Sequence, residues 1–134
     1  MAAKPARRTV APMSGLASTA ELMRMAPHVY GAALAASRDE RAAAGVTERV
    51  LERAAAEDVI VRERLVERAI LTAVRRAPAP CFEVMRQPDR DAVALVRLAG
   101  YSAEQVATSL GMAVEEVKSG MLRALSAAAI QAAS

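Results

Sequence analysis

Apolar residues recur at steps of three and four along most of the chain, and no stretch sustains an alternation of apolar and polar residues, so the pattern predicts helices and no sheet. A first helix is expected from Ser18, where S-T-A-E forms a capping box with Glu21 at the third helical position. Pro27 is expected to kink or restart it, giving Ala26 to Ala36 with Val29, Tyr30, Ala33 and Leu34 on one side. Asp39 is placed to cap the next segment. From there to Arg76 the chain stays helix-favourable, with Val46, Val50, Val59, Leu65, Val66, Ile70, Leu71 and Val74 as its main apolar positions and a break near Glu57-Asp58. A further helix runs from about Asp89 to Ala99 and stops at Gly100.

The C-terminal stretch from Tyr101 to Leu125 reads as two helices around a tight turn. Ser102 caps the first, Gln105 closes the box, and Gly111 supplies the left-handed residue that ends it. Val106 and Leu110 give this short helix an apolar face. In the second helix Val114, Val117, Met121 and Leu125 form one stripe on a 3.6-residue period, which leaves Gly120 toward the exposed edge. The outline is that of a helix-turn-helix, and spacing alone leaves an ordinary helical hairpin equally open. Six helices in all are predicted: an all-α fold, with a short helical N-terminal lobe and a C-terminal helix-turn-helix domain.

Punctuation residues divide the chain. Residues 1–17 carry Pro5, Pro12 and Gly15 without periodicity and read as a disordered basic tail; 18–77 form the helical lobe; Pro78, Pro80 and Pro88 mark 78–88 as a linker; 89–134 hold the helix-turn-helix. The apolar fraction of 54% overstates the core, because alanine dominates it. With only Tyr30, Phe82 and Tyr101 as aromatics, a nucleobase-stacking surface is not expected. One cysteine, Cys81, excludes an internal disulfide, and with the single His28 it does not make a metal site. The N-terminus is basic but lacks the apolar segment of a signal peptide, and no run is long enough to span a membrane, so the chain is expected to be cytoplasmic.

Charge is unevenly spread. The net charge of +3 resides in residues 1–25, where Lys4, Arg7, Arg8 and Arg24 face only Glu21. Within 89–134, four basic side chains meet five acidic ones, whereas a module that sits on phosphates is usually basic. No catalytic group is identified. The neighbouring carboxylates Asp39-Glu40, Glu57-Asp58 and Glu115-Glu116 point about 100° apart on a helix, so none makes an acid and base pair. No glycine-rich phosphate loop is present, and no cofactor is predicted.

The helix ending in V-R-L-A-G-Y-S, followed by E-Q-V-A-T-S-L-G-M-A-V-E-E-V-K-S-G-M-L-R-A-L, resembles the region-4 helix-turn-helix of sigma-70-type extracytoplasmic-function sigma factors. The segments A-P-H-V-Y-G-A-A-L, D-E-R-A-A and V-T-E-R-V-L-E-R-A resemble the first half of region 2, in the family's order, over a degenerate, shortened version of that region. The resemblance implies a transcription regulator that acts in initiation with the RNA polymerase core and binds promoter DNA. It implies groove-facing positions Glu115, Glu116, Lys118, Ser119 and Arg123, backbone-proximal Ser102 and Gln105, and polymerase-binding Val46, Thr47 and Glu48. Gly120 stands where the family commonly has arginine, Glu116 where it commonly has threonine, and Gly45 where an acidic residue is usual. The tryptophans and tyrosines that hold flipped bases are missing. Two function classes follow: a sigma-like DNA-binding regulator, or a fold retained as an interaction module for RNA polymerase, another sigma factor or an anti-sigma protein without DNA readout. Glu115 and Glu116 carry two readings as well, as acceptors from cytosine amino groups or as first-turn carboxylates favoured by the helix dipole.

Overall fold

A computed structural model of the chain describes residues 11–57 and 60–133, with side chains from residue 19 onward. The described residues contain seven helices and no strand: α1 (Ala11–Ser37), α2 (Glu40–Glu57), α3 (Arg62–Arg76), α4 (Pro80–Glu83), α5 (Asp89–Ala99), α6 (Ala103–Leu110) and α7 (Val114–Ala133). The fold class is all-α, as the periodicity predicted.

Helices α1, α2 and α3 pack on one another, α3 packs on α5, and α5, α6 and α7 form a second set of three. Their buried side chains make one cluster, running from Val29 and Ala33 through Leu65, Ile70 and Val74 to Leu95, Val106 and Val117. The proline-rich segment takes part in it: α4 starts at Pro80, and Phe82 and Met85 are buried. Proline at the first helical position suits α4, because its missing N–H has no helical partner to lose. This short helix is the seventh, and proline punctuation had hidden it.

Local chemistry accounts for most boundaries. Ser37 Oγ donates to Ala33 O at 2.8 Å, Arg38 adopts a left-handed φ of 58°, and Asp39 Oδ1 accepts from Ala42 N at 3.0 Å, so α1 closes and α2 opens within three residues. Gly100 and Gly111, at φ 72° and 67°, end α5 and α6 as expected.

Helix α1 departs from expectation twice. It is already helical at Ala11, the first described residue, so the S-T-A-E motif lies inside a helix that alanine and leucine already favour rather than at its start. Residues 1–10 of the expected tail lie outside the described residues, as do Asp58 and Val59. Pro27 does not restart the helix either. The carbonyl it leaves unpaired belongs to Met23, itself 71% exposed and within reach of water, while Val29, Ala33 and Ala36 hold the following turns against the core.

The buried stripe of α7 also differs from the predicted one. Val117, Gly120 and Ala124 face inward, Val114 and Met121 are half-buried, and Leu125 is 48% exposed. Gly120 is therefore a contact position. A Cβ there would collide with the Asp89 carboxylate of α5, which also pairs with Arg123 one turn farther along α7. The absent side chain is what lets the two helices approach. In an open helix interior, glycine to alanine would add about 1 kcal/mol. Here Gly120→Ala is expected instead to lower stability by about 1 kcal/mol, because displacing Asp89 disrupts its ion pair. In an Asp89→Ala background the same substitution should stabilise. Thermal unfolding of the four proteins in a double-mutant cycle measures the reversal.

Candidate nucleic-acid interface

The α6–turn–α7 unit is built by local hydrogen bonds. Ser102 Oγ accepts from Gln105 N at 3.1 Å, and Gln105 Oε1 accepts from Ser102 N at 2.8 Å, the reciprocal box anticipated from the sequence. Met112 N donates to Ala107 O at 2.9 Å across the turn at Gly111. Glu116 Oε1 then accepts from Ala113 N at 3.0 Å, which closes the first turn of α7. Val106, Ala107, Val117, Gly120 and Ala124 are buried beneath the unit.

Most residues singled out for groove contact lie together. Glu115, Glu116, Ser119 and Arg123 line one shallow depression with Pro88 and Met112, and Lys118 is exposed on the same helix. Their chemistry is partly committed elsewhere. Arg123 donates to both oxygens of Asp89 at 3.2 Å, and Glu116 serves the helix N-terminus. With Arg123 neutralised, the face presents Lys118 against the two first-turn glutamates. Its apolar component is larger than the sequence indicated: Leu122 is 68% exposed, Leu125 48% and Ile130 70%.

Ser102 and Gln105 are not part of that depression. Each side chain accepts from the other residue's backbone N–H, and Gln105 lines a separate cleft between α6 and α3 with Glu63, Glu67 and Tyr101. Of the residues expected to meet a polymerase, Val46 is 2% exposed and belongs to the core, and Thr47 Oγ1 donates to Ala43 O at 2.7 Å within α2. Glu48 alone presents its side chain freely to solvent. The V-T-E triplet spans 200° of helix, so at most part of it can share a surface.

Sequence reading gave no role to Asp89, Arg90 and Asp91, the first turn of α5. Asp89 holds Arg123 of α7. Arg90 donates through Nε to Phe82 O at 3.0 Å and Met85 O at 3.1 Å, and through Nη1 to Val74 O at 3.3 Å. Asp91, 2% exposed, accepts from Arg75 Nε and Nη2 of α3 at 3.0 and 2.7 Å. A run of three charges at the head of a helix, followed by apolar residues, was the available signal.

Among the described residues, no group of three or more His, Cys, Asp or Glu side chains could hold a metal ion, and no helix is long and apolar enough to cross a membrane. Cys81 is free and exposed. No family model, curated protein or solved structure matches the chain.

Tyr101 ties the unit to α3. Its hydroxyl donates to Glu67 Oε1 at 2.6 Å, and partial burial, that bond and the charges of Glu67 and Glu63 push the phenol up to about 12. A phenol pKa raised on folding means stability that is complete below the unfolded value of about 10 and lost as pH rises toward 12. In a Tyr30→Phe protein, which leaves Tyr101 as the single tyrosine, ultraviolet titration should give a midpoint about two units above that of the unfolded chain. Adding Glu67→Gln should bring it down; an unshifted midpoint would contradict the Tyr101–Glu67 bond.

Proposed function

We propose that this protein is a sigma-like helix-turn-helix regulator of transcription initiation that acts with RNA polymerase and presents α7 to promoter DNA. The observation that carries this reading is the α6–α7 geometry: a capped short helix, a left-handed glycine, and a second helix whose N-terminal half buries Val117 and Gly120 while exposing Glu115, Lys118, Ser119 and Leu122. A helix so presented has the form that enters a major groove. Lys118 is the cation on that face with no protein partner among the described residues, and Ser119 is the uncharged hydrogen-bonding group beside it. Glu115 is free to accept from a cytosine amino group, whereas Glu116 is engaged by Ala113. The polymerase would contribute affinity that so sparse a cationic face lacks.

A second reading is favoured by one feature, the exposed Leu122, Leu125 and Ile130 on α7. In it the same helix binds another protein, such as polymerase, a sigma factor or an anti-sigma factor, and reads no DNA.

Binding to promoter-length duplex separates the two. Each phosphate neutralised contributes about −0.9 to the slope of log K against log salt. The isolated protein should bind weakly, with a slope no steeper than about −3. RNA polymerase core should increase its retention on DNA, and Lys118→Ala should abolish that increase. Retention on polymerase without any DNA dependence, unaffected by Lys118→Ala but lost in Leu122→Glu, would establish the second reading instead.

A further inference from the structure

Far along the chain from the helix-turn-helix, α2 and α3 enclose an open cleft of about 530 Å³ whose lining includes Arg49 and Arg53 from α2 and Arg68, Thr72 and Arg76 from α3. The spacing is regular. Arg49 and Arg53 are four residues apart, as are Arg68, Thr72 and Arg76, so each set stacks along one side of its helix. The helices pack together and are joined by a short connection from Glu57 to Arg62, which makes them an antiparallel pair.

One end of the cleft already holds an anion. Glu57 Oε2 accepts from Arg53 Nε at 2.8 Å and Oε1 accepts from Arg68 Nη2 at 2.8 Å, and these two guanidinium groups keep its carboxyl below the usual carboxylate range. With Glu57 level with Arg68, antiparallel packing sets Arg49 level with Arg76 eight residues farther on, about 12 Å along the groove at 1.5 Å per residue. At that end the charges are uncompensated. Neither Arg49 nor Arg76 makes an ion pair or side-chain hydrogen bond among the described residues, and Glu52, which also lines the wall, pairs with neither. Counting Glu52 and Glu57 against the four arginines leaves two positive charges in excess.

Guanidinium groups with free donors match phosphate oxygens closely, often two bonds at a time. No lining residue is aromatic, so the recess offers nothing for a base to stack on.

We propose that the α2–α3 cleft is a binding site for a linear polyphosphate anion, free or as the phosphate chain of an ester, contacted chiefly by Arg49 and Arg76 and sharing Arg53 and Arg68 with Glu57. Thr72, midway along the α3 row, adds a neutral hydroxyl donor. Glu57 is the internal competitor that occupies the other half of the site. The site is independent of whether α7 reads DNA.

Calorimetric titration of the full chain with sodium tripolyphosphate at low salt tests this. Saturable binding near one equivalent is expected, with a nucleoside triphosphate binding similarly because the phosphate chain makes the contacts. Arg49→Gln combined with Arg76→Gln should weaken tripolyphosphate by about ten-fold or more, while Arg24→Gln, an exposed arginine on α1, should leave it nearly unchanged. Glu57→Gln should tighten binding, which general loss of structure would not produce, and by more than Glu21→Gln, an exposed α1 carboxylate whose loss changes the net charge equally. Absence of saturable binding, equal weakening by Arg24→Gln, wild-type affinity in the double variant, or a nucleoside triphosphate bound while tripolyphosphate is not would each overturn the assignment.

Discussion

The first turn of α5 is the constraint on which the two helical sets depend. Asp89, Arg90 and Asp91 point in three directions and meet three parts of the chain: Arg123 of α7, the carbonyls of Val74, Phe82 and Met85, and Arg75 of α3. Asp91 and Asp89 are nearly buried, so each needs its arginine; a buried carboxylate left without one would be strongly destabilising. Arg90 donates to carbonyls at the ends of α3 and α4, one of which, Phe82 O, also accepts from Met85 N. The helix dipole at the head of α5 favours both aspartates there. Charges at one helix terminus therefore fix how α3, α4 and α7 meet α5, and the apolar cluster fills the space they define.

That arrangement also sets what the helix-turn-helix can offer a partner. Arg123 is held by Asp89, Gly120 is pressed against the same carboxylate, and Glu116 closes the start of α7. Two of the positions that the family resemblance implied for groove contact, Glu116 and Arg123, are thus partly used in supporting the fold. What remains outward is a sparse polar set around Lys118 and Ser119, continued by Leu122 and Leu125. Such a face suits recognition assisted by a second protein, since single ion contacts at an exposed surface contribute little alone.

The two clefts walled by α3 have a different character. Between α2 and α3 arginines outnumber their carboxylate partners, while between α3 and α6 the Tyr101 hydroxyl is held by Glu67. Arg68 lines both, and Ser109 Oγ, in the second, is buried without a partner. Helix α3 is therefore the element that both sets share: its apolar side carries Leu65, Ile70 and Val74 into the core, and its polar side forms a wall of each cleft.

Much of the fold was legible because it is decided within a few residues. The capping box at Ser102, the left-handed glycines 100 and 111, the Asp39 cap and the bounds of α5 depend on backbone donors and acceptors one turn away, and the sequence contains both partners of each. The 3.6-residue period likewise determined that the chain is all-α. Three things could not be read this way. Whether Pro27 breaks α1 depends on burial of the turns after it; whether α4 forms depends on a pocket for Phe82; and which side of α7 faces inward depends on Asp89, thirty-one residues before Gly120. Periodicity placed Gly120 at the edge because a glycine has no side chain to score, although its value lies in the neighbour it admits. The sequence by itself determined most of the helices, the caps at Asp39 and Ser102 and the left-handed ends at Gly100 and Gly111, through short-range hydrogen bonding and propensity. Only the tertiary structure decided which charges are spent on holding helices together and which stay free, because that depends on the separation between side chains distant in sequence.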